Sequence, residues 1–100
     1  MPITCPTCRA VNDDGPACRR CRADLSLLFA VEARRAAELT EARVQLAQGD
    51  ASAAFDSARR ADALRRGADT ARLAAAAALL KRDFGTAWQE YQRARSLPGG

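Results

Sequence analysis

The sequence predicts a mainly α protein in two parts. A small four-cysteine module occupies residues 1–24, about four antiparallel helices fill residues 25–97, and a flexible tail takes 98–100. Three observations carry this reading. Cys5, Cys8, Cys18 and Cys21 fall in the order C-x2-C-x9-C-x2-C, inside a stretch too short to fold on an apolar core of its own. From Asp24 onward alanine dominates and Pro98 is the one proline, a composition suited to long helices. Gly49-Asp50, Gly67 with Asp69, and Asp83 punctuate that stretch as helix stops and starts.

The cysteines imply a metal. Each C-x-x-C turn presents two sulfurs, and two such turns complete a tetrahedron. Four thiolates at about 2.3 Å are what one structural zinc ion takes. No cysteine is left over, so no coordination position is reserved for a catalytic water. Iron would accept the same donors, as in a rubredoxin-like electron carrier. Residues 1–24 hold no aromatic side chain to shield a redox iron from water, so zinc is favoured. No signal-peptide pattern precedes Cys5, and no run approaches about 18 apolar residues. A cytoplasmic, reducing location without membrane contact is expected, where Cys pairs act as ligands rather than disulfides.

Within the module, Asn12-Asp13-Asp14-Gly15-Pro16 is dense in turn formers and is expected to reverse the chain between the Cys pairs. The expected result is a short hairpin with one cysteine turn at each end. Asp24 then caps a first helix from Leu25 to about Gln48, with Leu28, Val31, Ala36, Leu39, Ala42 and Leu46 at helical spacing. Gly49 ends it. Asp50 caps a second helix carrying Ala54, Phe55, Ala58 and Ala61 on one face. Gly67 stops that helix, and Asp69 caps a third that runs to about Arg82. Asp83 caps a fourth, with Phe84, Ala87, Trp88, Tyr91 and Ala94 on one stripe, ending before Pro98.

Two resemblances rest on these residues. Cys5-Pro6-Thr7-Cys8, Asn12, Cys18-Arg19-Arg20-Cys21 and Leu25 resemble the bacterial zinc-ribbon family. Arg9 and Arg22 depart from it, because the family usually places Gly there, where the backbone often turns left-handed. The helical part is self-similar at a 33-residue offset: Ala42 meets Ala75, Asp50 meets Asp83, Ala54 meets Ala87, Ala61 meets Ala94 and Leu64 meets Leu97. This resembles the tetratricopeptide repeat, with Gly49-Asp50, Ala54 and Ala61 matching in one copy and Asp83-Phe84, Ala87, Tyr91 and Ala94 in the other. The first-helix aromatic of that family is missing from both copies. The resemblance implies a protein or peptide ligand in a groove lined by the first helix of each pair, faced by Arg43 and Arg72, which would hold an acidic tail. It also implies that the family's capping helix, which would come after Leu97, is missing.

Charge and side-chain inventory narrow the function. The net charge of +4 is modest, is spread over the chain and makes no electrostatic footprint for nucleic acid. Histidine is absent, the cysteines are committed to metal, and Ser26, Ser52, Ser57 and Ser96 have no evident base, so no enzyme is expected. Asp56 with Arg59 and Arg60, and Asp62 with Arg65 and Arg66, read as pairs lacing a solvated helix face. The expected function is a small zinc-binding adaptor that binds another protein through its helices. Phe84, Trp88 and Tyr91 share one face of the fourth helix, and by default Trp88 reads as core. The missing cap leaves that face as a contact for a partner, most simply a second copy of the chain. A nucleic-acid-associated role through Arg9, Arg19, Arg20 and Arg22 is the runner-up.

Overall fold

The computed structural model describes residues 2–97, and the expected stop at Pro98 and the tail at 98–100 lie outside the described residues. The expected fold class holds: a two-stranded antiparallel hairpin at the amino terminus precedes four helices. The strands are β1 (Ile3–Thr4) and β2 (Val11–Asn12), with Ile3 opposite Asn12 and Thr4 opposite Val11. The helices are α1 (Ser26–Ala47), α2 (Ala51–Leu64), α3 (Ala68–Leu80) and α4 (Phe84–Ser96). Two compact units divide the chain within α1, one running to Arg34 and the other starting at Arg35.

In the first unit the strands bracket the first cysteine turn rather than the Asn12–Pro16 turn. The ladder forms there because Cys5 N–H donates to the Ala10 carbonyl at 2.9 Å and Arg9 N–H to the Cys5 carbonyl at 2.8 Å, closing the loop locally. The second cysteine turn repeats the pattern. Cys18 N–H donates to Ala23 at 2.8 Å and Arg22 N–H to Cys18 at 3.0 Å, flanked by a bridge between Ala17 and Asp24. Each cysteine pair is therefore its own hairpin. Asp24 accepts from Ser26 N–H, so α1 begins one residue later than its sequence suggests.

The second unit is held by alanine and by charge. Ala42, Ala54, Ala58, Ala61, Ala71, Ala74, Ala77, Ala78, Ala87 and Ala94 are all buried, since methyl side chains let helix backbones approach closely. α2 packs on α3 and α3 on α4. Gln45 of α1 accepts from Ser57 of α2 at 2.8 Å, and Glu38 accepts from Arg60 at 3.0 Å.

The two hairpin turns are copies at the same 33-residue offset. Gly49 (φ 80°) and Arg82 (φ 62°) are both left-handed. Asp50 N–H reaches Gln45 and Asp83 N–H reaches Ala78, each at 2.9 Å, while Gly49 and Arg82 N–H reach Leu46 and Leu79, each at 3.0 Å. This pair of bonds is the Schellman helix stop. Asp50 and Asp83 then accept from Ala53 and Thr86 N–H at 3.2 Å, starting α2 and α4 as N-caps.

The α2–α3 connection differs from expectation. α3 starts at Ala68 after an extended Gly67, and Asp69 is not its cap. Arg35 explains why. It is 3% exposed, donates Nε–H to the Arg65 carbonyl at 2.8 Å, and grips Asp69 with two bonds of 2.6 and 3.0 Å. A Cβ on Gly67 would lie 2.6 Å from both the Arg35 guanidinium and the Asp69 carboxylate, so the pair needs glycine there. Other charges also tie helices together rather than lacing one face. Asp62 accepts from Thr70 Oγ1 at 2.7 Å and Arg93 Nη1 at 2.9 Å, and buried Glu90 accepts from Arg59 and Arg93.

Candidate metal centre and exposed helical faces

Cys5, Cys8, Cys18 and Cys21 converge, with their four sulfurs all within 4.8 Å of one another. Cys5 and Cys21 sulfurs are 3.5 Å apart, and those of Cys8 and Cys18 are 3.6 Å apart. A tetrahedron with metal–sulfur bonds of about 2.3 Å has edges of about 3.8 Å, so this donor set suits a metal ion such as zinc. Burial is uneven: Cys5 and Cys18 are buried, Cys8 is half-buried and Cys21 is exposed.

The backbone prepares the sulfurs for negative charge. Cys8 N–H, outweighing burial and helped by Thr7 N–H, holds the Cys5 thiol below its ordinary value. The N–H groups of Cys21 and Arg20, against burial and with the Asn12 side chain, draw Cys18 down to about 5. At Cys21 the Ala23 N–H pulls downward, but loss of water on the side facing the cluster and the three other cysteines push the thiol up to about 12. Sulfurs this close cannot all ionise unless a cation lies among them, and the donor set fits one. A bound ion would be held by Cys5, Cys8, Cys18 and Cys21 and would supply folding energy.

Asn12 braces the sulfurs from behind, a role that sequence spacing marks without explaining. It is buried, donates Nδ2–H to the Ala10 carbonyl at 3.1 Å and to Cys18 Sγ at 3.5 Å, and accepts from Arg19 N–H at 2.8 Å. One side chain thereby joins the first cysteine turn to the second. Arg9 and Arg22 both adopt φ 63°, the left-handed conformation that glycine takes without strain. Leu25 is buried against Cys5, Ala10 and Cys18, and Phe29 of α1 packs on the same cluster. An aromatic shield therefore exists, supplied from beyond residue 24. Arg9, Arg19, Arg20 and Arg22 are exposed, and Arg19 Nε–H is held by the Val11 carbonyl at 2.8 Å.

The remaining candidate residues are apart from the sulfurs in sequence. Arg43 on α1 and Arg72 on α3 are exposed. Phe84, Trp88 and Tyr91 line one face of α4 and are 65%, 60% and 49% exposed, with the Trp88 and Tyr91 rings 6.0 Å apart. Trp88 is therefore surface, not core. Among the described residues, no helix is long and apolar enough to cross a membrane. Compared with known proteins, the chain matches no family model, no curated protein and no solved structure.

Proposed function

We propose that this chain is a small zinc-binding adaptor whose helical hairpins dock another protein or peptide, with the zinc purely structural. The observation that carries the reading is the aromatic face of α4, because a folded domain rarely leaves three large aromatic side chains on one exposed stripe without a use for them. The duplicated turns at Gly49-Asp50 and Arg82-Asp83 support a tetratricopeptide-like arrangement, in which Arg43 and Arg72 offer an acidic tail two cations. Four thiolates grouped with no fifth donor among the described residues, and no histidine in the sequence, favour a closed zinc site over a catalytic one. In such a protein the zinc ribbon folds the amino-terminal residues and takes no part in chemistry.

The test is retention of host proteins from an extract by the purified chain at about physiological salt. The expected result is a retained protein that Trp88→Ala loses while its circular dichroism stays unchanged. Metal analysis should give one zinc per chain in a colourless protein. A red, iron-loaded protein would establish the electron-carrier alternative instead. Salt-sensitive retention of RNA or DNA, lost on replacing Arg9, Arg20 and Arg22, would establish the nucleic-acid role.

A further inference from the structure

The turns that start α2 and α4 match at a 33-residue offset, so each α2 residue has a counterpart in register on α4. On α2 the face of Phe55, Ala58 and Asp62 is covered by later parts of the chain. Ala58 is fully buried, and Lys81 Nζ lies 4.9 Å from the Phe55 ring. Asp62 takes hydrogen bonds from Thr70 of α3 and Arg93 of α4. The counterparts on α4 are Trp88 for Phe55, Tyr91 for Ala58 and Arg95 for Asp62, and all three are exposed. Phe84, the counterpart of Ala51, extends the bare stripe by one turn. On α2 the corresponding face is taken by helices later in the chain, and the Asp62-to-Arg95 exchange reverses the charge at its edge.

We propose that this α4 face docks an acidic amphipathic helix of another protein, in the place that α3 takes against α2. The proposal rests on the adaptor reading and names the chemistry of the partner. Charge selects the occupant. Among the described residues of α4 the one carboxylate, Glu90, is buried and paired with Arg59 and Arg93, while Arg95 is exposed. At the other end, Lys81 and Arg82 stand exposed just before α4, with the capping carboxylate of Asp83 beside them and Lys81 Nζ over the Phe55 ring, which leaves that end with a net charge of one positive. An apolar centre with cations at both ends is complementary to an apolar helix face edged by Asp and Glu. A second copy of this chain fits less well, because antiparallel pairing about Trp88 would set Arg95 of one copy against Lys81 of the other.

Two synthetic helical peptides of about 18 residues, or five turns, serve as probes. They share one Leu/Ala face and differ only in flanking Glu or flanking Lys. Trp88 is the sole tryptophan, so its emission reports occupancy of this face directly. The Glu peptide is expected to shift Trp88 emission to the blue and saturate, and the Lys peptide to bind at least about tenfold more weakly. Arg95→Glu should narrow that preference several-fold, and Trp88→Ala should weaken binding of the labelled Glu peptide by at least about 30-fold. Equal binding of both peptides, or a preference that Arg95→Glu leaves unchanged, would overturn the proposal. So would a dimer in sedimentation that Trp88→Ala dissolves. If extract retention depends on Trp88 yet neither peptide binds, the adaptor reading stands and the acidic-helix proposal falls.

Discussion

Two residues hold the same left-handed conformation at equivalent helix ends, and only Gly49 suits it. Arg82 carries a Cβ there, which costs about 1–2 kcal/mol in the left-handed region, partly offset because glycine leaves the unfolded chain freer. Arg82→Gly should therefore raise stability by about 1 kcal/mol, and Gly49→Ala should lower it by a similar amount, both read from urea midpoints. The second change isolates the backbone effect, since nothing lies within 4 Å of a Cβ at Gly49. Asp69 makes a different point. The Arg35 guanidinium, against burial, holds its carboxyl below the ordinary range. A depressed folded value means stability that is fully present above the unfolded value of about 3.9 and lost as pH falls through the folded one. Asp62 shifts the same way, with Thr70 and Arg93 outweighing burial. Melting temperature should thus fall as pH drops from about 5 towards 3, and Asp69→Asn should flatten that slope. At pH 7 the same variant should cost about 3 kcal/mol, the low end for breaking a buried pair because Asp69 keeps some solvent contact.

At the scale of elements, helix positions were legible because their stop and start signals are local. Gly49-Asp50 and Asp83 act within one turn, and both caps form where the sequence places them. The α2–α3 connection was not legible. Asp69 looks like a cap, but its partner Arg35 is 34 residues away, and no local spacing links the two. Likewise Phe29 closes the cysteine cluster from a helix that periodicity assigns elsewhere, and no spacing rule links it to Cys5 or Cys18. The convergence of the four sulfurs was legible, because each C-x-x-C pair is close in sequence and folds as one local turn. Alanine packing leads to a sharp prediction. Ala87→Leu has no room and should cost about 1–3 kcal/mol by overpacking, whereas Ala63→Leu, on the exposed side of α2, should be nearly neutral in thermal melts. Equal tolerance would show that the helices do not meet at alanine.

For the whole molecule, the metal is expected to govern one part of the chain. Cys8→Ser should abolish stoichiometric metal binding and unfold residues 1–24 while most helical circular dichroism persists, since a structural ion in a four-cysteine site, worth about 10–16 kcal/mol if it is zinc, would do most of the work of an apolar core there. Loss of the helical signal together with the metal would mark a single cooperative unit. Away from the metal, the duplicated turns bear on how the chain reaches its fold. Each closes through hydrogen bonds spanning five residues or fewer, and each hairpin joins helices adjacent in sequence. Such short-range closure carries little loop entropy, so the helices should refold fast, on the order of microseconds to milliseconds as helical bundles rich in local contacts do. Both turns can nucleate without waiting for the other. Pulse-labelled hydrogen exchange should then find Asp50 and Asp83 amides protected in the same early phase, with the Arg35–Asp69 clasp, which spans 34 residues, closing last.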